Sequence, residues 1–106
     1  MEAVNQRIPS RLFALSAVIV WLFGCAVAPP VQEMSDARQA IRAAQEAQAG
    51  KHAPGTLSQA EELLSHATRS LEQGAYEDAR RAAVAARQKA IAARDRAVES
   101  GADREM

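Results

Sequence analysis

Aromatic side chains make up 4% of the 106 residues, with one Trp and one Tyr, too few to stack nucleic-acid bases along a surface. One cysteine, Cys25, rules out an intramolecular disulfide, so no covalent staple supports what must be a small core. Charge of one sign is missing as well: 13 basic and 13 acidic side chains cancel, which removes any global attraction to nucleic acid or anionic lipid. There is no GxSxG, no CxxC, no HExxH and no glycine-rich phosphate loop, and His52 and His66 have no partner at metal-ligand spacing. An enzyme, a metal site and a cofactor are therefore not expected. Glycine and proline gather outside the periodic segments, while alanine, the best helix former, dominates within them, which points to an all-α fold.

The longest hydrophobic run is short. "LFALSAVIVWLF", twelve apolar or small residues after Arg7 and Arg11, would rise about 18 Å as a helix, against roughly 30 Å of bilayer hydrocarbon. Pro29 and Pro30 prevent its extension through "AVAPP". A basic start, a short apolar core and a small residue before a cut describe a secretory signal peptide. The block Leu22-Phe23-Gly24-Cys25 resembles the bacterial lipobox, with an aliphatic residue three places before the Cys and a small residue just before it; Phe23 stands where that motif usually has a small or β-branched residue. The resemblance implies removal of residues 1–24, a lipid on the Cys25 sulfur and Cys25 as the mature N-terminus. Ala26, in place of Asp, further implies sorting to the outer membrane of a Gram-negative cell rather than retention in the inner one. Acyl chains contribute about 0.8 kcal/mol per buried CH₂, and more than one chain gives a stable anchor. "AVAPPVQEMS", the rest of residues 25–35, reads as an extended tether between lipid and folded part.

A helical domain is expected over residues 36–100, with 101–106 as a disordered tail. The first helix runs from about Asp36 to Ala49, with Ser35 or Asp36 as N-cap, Gly50 as its stop, and Ala37, Ala40, Ile41, Ala44 and Ala47 on one face. "GKHAPGT" is a turn, with Thr56 placed to cap the next helix. That second helix, Leu57 to Gln73, carries Leu57, Ala60, Leu64, Ala67 and Leu71 at steps of three and four and ends at Gly74. The third, Tyr76 to Ser100, repeats the rhythm in Tyr76, Ala79, Ala83, Ala86, Ala90, Ala93 and Ala97. Val84, Ile91 and Val98 form a second row about 100° round the same helix. A row of methyl groups lets helices approach toward the lower end of the usual range of about 8–10 Å. Short connections favour antiparallel neighbours, so the second and third helices should form a hairpin, with the first packed on it or left partly free.

"LEQGAYEDARRAAVAARQKA" resembles the centre of a tetratricopeptide-type helical hairpin, where a Gly closes one helix, a Tyr opens the next and an Ala three residues later sits in the crossing; Gly74, Tyr76 and Ala79 hold those places. One hairpin does not establish a repeat array. Together with "ARQAIRAAQEA" and "HAPGTLSQAEELL", the segment is similar to a family of Ala-rich bacterial envelope lipoproteins catalogued as domain of unknown function 4398. The resemblance implies a fold and a location and no activity.

Few large apolar residues follow the tether, so the domain should be marginal alone and should gain from self-association, or from another envelope protein, along its Ala-rich face. Between residues 80 and 96, Arg80, Arg81, Arg87, Lys89, Arg94 and Arg96 face one acid, Asp95. One reading is a solvated face, internally paired through Glu77 with Arg81 and through Glu61, Glu62 and Glu72. The other is a strip that docks on peptidoglycan carboxylates, lipid phosphates or an acidic protein. Two functions stay open: a structural or adaptor lipoprotein of the outer membrane, and a peptidoglycan- or small-ligand-binding module.

Overall fold

The computed structural model describes residues 28–105, with side chains through residue 101. The described residues form four helices and no strand: α1 (Val31–Glu46), α2 (Ala49–His52), α3 (Pro54–Glu72) and α4 (Tyr76–Glu105). The fold is all-α, as the composition implied.

Helix α1 starts earlier than its polar residues suggest. Pro30 occupies the N-cap at φ −79° and its carbonyl accepts the Met34 N–H at 3.0 Å, so residues 31–35 are helix rather than extended tether. Neither Ser35 nor Asp36 caps a helix. Register decides the matter: Met34, Ala37, Ile41 and Ala44 recur at steps of three and four and are all buried. Burying a side chain such as Met34 contributes about 1.5–3 kcal/mol, more than the roughly 1 kcal/mol of a side-chain cap.

Gly50 is not the stop for α1. The helix ends at Glu46, Gln48 takes the left-handed conformation at φ 63°, and Gly50 lies inside the single turn of α2. A left-handed non-glycine residue costs about 1–2 kcal/mol. Packing offsets this, because the turn places Ala49, Ala53 and Leu57 in one cluster with Ile41 and Ala44. Helix α3 then opens with Pro54 in its first turn, where the missing N–H leaves no bond unmade. Thr56 is therefore no cap; it lies within the helix, and its hydroxyl accepts a 2.6 Å hydrogen bond from Arg96 Nη1.

The α3–α4 connection is a Schellman turn. The Ala75 N–H reaches the Ser70 carbonyl at 2.8 Å, the Gly74 N–H reaches the Leu71 carbonyl at 3.0 Å, and Gly74 sits at φ 77°. Nothing lies within 4 Å of where a Gly74 Cβ would stand, so the glycine is used for its backbone conformation and not for close packing. Helix α4 continues through Gly101 to Glu105, where a tail was expected from residue 101.

Helix α4 is the spine of the bundle. Its Ala79, Ala83, Ala86, Ala90 and Ala93 are each 0% exposed and Ala97 is 2% exposed. At one end Met34 of α1 and Ala67 of α3 meet Ala82 and Ala83; at the other, Ile41, Ala44, Leu57 and Ala60 meet Ala90, Ala93 and Ala97. Thus α1 runs parallel to α4 and α3 antiparallel to it, a three-helix bundle closed by the α2 turn. Each packs on α4 more than on the other. The Ala-rich face expected to receive a partner is consequently occupied by helices of the same chain.

Candidate functional site

Cys25 and the lipobox residues Leu22, Phe23 and Gly24 lie outside the described residues. The described chain opens at the end of the bundle where α1 begins and α4 begins, and there one side chain gathers the pieces. Arg80, one turn into α4, donates from Nη1 to Glu77 Oε1 at 2.7 Å and from Nη2 to the Ala28 carbonyl at 3.5 Å. Its Nε stands 3.3 Å from Glu33 Oε1 of α1, off the N–H direction, so that contact is ionic and not a hydrogen bond. Pro30, two residues beyond Ala28, is among the most fully buried side chains. Arg80 therefore ties the segment entering the bundle to both α1 and α4.

The six cations between residues 80 and 96 of α4 do not form one strip. At about 100° per residue, Arg80, Arg87 and Arg94, spaced by seven, make one row along the α1 side, while Lys89 and Arg96 lie roughly 160° away on the α3 side. Arg81 falls between the rows and pairs with Asp78 at 2.8 Å, so the expected Glu77–Arg81 pairing is replaced by Glu77–Arg80 and Asp78–Arg81. Lys89 lines an open groove of about 400 Å³ with Gln59, Glu62 and Leu63 of α3. Arg96 is held on Thr56. Among the described residues, Arg87 and Arg94 have no carboxylate within salt-bridge distance. Glu61, suggested as a counter-charge for α4, instead accepts from Gln45 of α1 at 3.5 Å.

The packing residues named from the sequence divide in a similar way. Leu57, Ala79, Ala83, Ala86 and Ala90 are buried, Leu64, Leu71 and Tyr76 are partly buried, and Gly74 is exposed at the turn. Sequence reasoning missed Arg80 as a clamp, Pro30 as core and Ser70, which is 5% exposed on α3, and it counted Met34 as apolar core material while leaving it in the tether. Met34 could have been placed in the helix, since it continues the 37–41–44 spacing backwards by three. Nothing in the sequence marked Arg80 off from its neighbours, because Glu33 and Ala28, the partners that make it a clamp, lie 47 and 52 residues earlier in the chain.

Among the described residues no group of three His, Cys, Asp or Glu side chains could hold a metal ion, and no helix is long and apolar enough to cross a membrane. What the geometry offers is surface for contact: an anchored end, an open groove and the outer face of α4. Neither the curated proteins nor the solved structures compared with the chain contain a significant match. A family model for a domain of unknown function, DUF4398, matches residues 32–106, all but the first residue of the bundle, and the chain belongs to that family.

Proposed function

We propose that the protein is a non-enzymatic lipoprotein of the bacterial outer membrane, held by acyl chains on Cys25 and acting as a structural or adaptor element through its helix faces. The observation that carries this reading is Cys25 itself, the sole cysteine, standing at the end of a signal-like segment behind Leu22, Phe23 and Gly24. The bundle adds a spatial constraint. Only residues 26–29 separate Cys25 from the buried Pro30, five backbone steps with a reach of at most about 18 Å. A lipid at Cys25 would therefore hold the bundle close to the headgroups by the end that contains Arg80, Gly74 and the start of α1. Mass spectrometry of the protein made in bacterial cells tests the reading: the expected product begins at Cys25 and carries lipid, and Cys25→Ser abolishes both the mass increment and the membrane association. A product that keeps residues 1–24, or a bare thiol at Cys25, overturns it.

A second reading, binding to the anionic cell wall, is favoured by Arg87 and Arg94, exposed cations without a carboxylate partner among the described residues. Sedimentation with purified peptidoglycan at low and moderate salt tests it; binding that ignores salt, or none, removes it.

A further inference from the structure

Each large branched residue on the outside of α4 stands one turn after an arginine: Val84 after Arg80, Ile91 after Arg87 and Val98 after Arg94. Positions four apart differ by about 40° around a helix, so the two rows run side by side. Val84, Ile91 and Val98 are 41%, 39% and 55% exposed, although Lys, Gln or Glu would be better helix formers in water. Among the described residues Arg87 and Arg94 have no carboxylate within salt-bridge distance, while Glu33 and Asp36 of α1 have other partners, in Arg80 at 3.3 Å and Gln32 at 3.0 Å. The flank beyond the branched row differs: Arg81 is paired with Asp78, Gln88 is neutral and Asp95 is acidic. The face is thus apolar along its middle and cationic along the edge nearer α1. We propose that it lies on the headgroups of the membrane that holds the anchor, with Val84, Ile91 and Val98 dipping among the lipids and Arg87 and Arg94 on the phosphates of anionic ones.

The path of the chain into the bundle selects this face. Arg80 Nη2 holds the Ala28 carbonyl at 3.5 Å, so the segment from Cys25 arrives on the arginine flank of α4, one turn from Val84, and not on the side of α3. Five backbone steps from Pro30, at most about 18 Å, a lipid on Cys25 brings that flank to the headgroups before any other. Charge complementarity then names the surface. An aliphatic row edged by cations is the pattern of a helix lying in a bilayer interface, where arginine stems run along apolar surface and the guanidinium groups stay at the phosphates. Arg80, engaged with Glu33 and Glu77, marks the entry point and is not needed for the lipid.

The area separates a bilayer from a protein partner. The three branched residues expose on the order of 200 Å², and a protein covering them would bury far less than the roughly 1,200 Å² in total at which stable complexes begin. A bilayer contact needs no such area, because the acyl chains already keep the bundle at the surface and every further contact is made at high effective concentration. The lipid holds the protein on the membrane, and this face sets how it lies there. The inference therefore rests on the lipid-anchor reading and adds to it an orientation and a lipid charge.

The test uses the full chain as processed by bacterial cells, purified and returned to vesicles of phosphatidylcholine with phosphatidylglycerol. An acylated Cys25 has no free thiol, so a maleimide-linked fluorophore attaches only at an introduced cysteine, and a nitroxide lipid labelled near its headgroup reports contact by quenching. Val84→Cys, Ile91→Cys and Val98→Cys should be quenched about threefold more than Ser58→Cys on the exposed side of α3. Arg87→Gln with Arg94→Gln, vesicles of phosphatidylcholine alone, or about 0.5 M salt should each reduce the Ile91→Cys quenching about threefold. Equal quenching at Ser58→Cys, no quenching at Ile91→Cys, or quenching indifferent to all three changes of charge would each overturn the proposal. So would purified peptidoglycan that removes the quenching, since the arginines would then belong to the cell wall. The mass of each sample is read alongside: lipidated protein without quenching overturns the docking alone, whereas protein without lipid overturns the anchor and the docking together.

Discussion

Met34 separates the two accounts of where this domain begins. If the chain were an extended tether through Ser35, replacing Met34 by alanine would cost almost nothing. In the structure the side chain is 2% exposed and packs against Ala67, Ala82 and Ala83, with Leu64 and Leu71 at the edge. Truncating a buried Met to Ala costs about 2–5 kcal/mol, depending on how far the site can collapse. Here three neighbours are alanines, whose methyls cannot reach into the void, while the two partly buried leucines can reorient; the expected cost is about 2–3 kcal/mol. For a domain of this size each kcal/mol moves the melting temperature by about 4–8 °C, so Met34→Ala should lower it by roughly 10–20 °C. Helical circular dichroism of the chain from residue 26 onward, followed through a thermal ramp, reads the effect. Met34→Leu, which keeps the volume, should stay within about 1.5 kcal/mol of the parent, and Val31→Ala, at a residue 68% exposed, should be neutral. A shift under 3 °C for Met34→Ala would mean that the first turn of α1 does not pack on α4, and the parallel α1–α4 arrangement would fall with it.

Gly74→Ala should cost about 1–2 kcal/mol through its φ of 77° alone, with Gly74→Asn costing less, both read as melting shifts. Ala90→Leu and Ile91→Ala should act oppositely to their usual ranking: the first overfills a position 0% exposed and costs about 1–3 kcal/mol or more, while the second, 39% exposed, leaves the isolated bundle within about 0.5 kcal/mol. Arg80→Ala should destabilise by about 0.5–1 kcal/mol at low salt and by less in 0.5 M salt, since its ionic partners Glu33 and Glu77 are partly solvated; Arg81→Ala, whose side chain is 75% exposed, should have no measurable effect at either.

The α4 seam was legible because its signal is sustained and mechanical. Ala79, Ala83, Ala86, Ala90, Ala93 and Ala97 keep one face over several turns, and a face of methyls has no better use than close helix packing. The same reasoning located α3, its Gly74 stop and the hairpin, but it began the helix at Leu57 with Thr56 as cap where the structure begins it at Pro54. Helix starts proved harder, because cap rules weigh Ser and Asp while Pro30 and Ala53, which stand at the N-caps of α1 and α3, make no side-chain cap bond. Gln48 was invisible for a related reason: the nearby Gly50 is the ordinary choice for a left-handed residue, and only the cluster around Leu57 explains why the turn falls two residues earlier. The cations were counted correctly and grouped wrongly. Counting along the chain collects Arg87 and Lys89 together, whereas the helix sends them to opposite flanks.

A seven-residue period unites the rows of α4. Arg80, Arg87 and Arg94 form one, Val84, Ile91 and Val98 a second, and Ala79, Ala86 and Ala93 a third, with Ala83, Ala90 and Ala97 beside it. On a straight helix each row drifts by about 20° per heptad, so all slant together, and any helix lying along one must wrap in a left-handed sense. The inner rows serve α1 and α3 of the same chain. Side chains larger than methyl there would hold those helices apart, which is why the core contains so little beyond Met34, Ile41 and Leu57. With the large residues displaced outward, α4 is left with one face built for intimate contact within the chain and another, branched and charged, built to the same period. A helix of 30 residues, about 45 Å long, also outreaches α3, which spans about 29 Å. The portion of α4 beyond Ala97 thus extends past the packed seam.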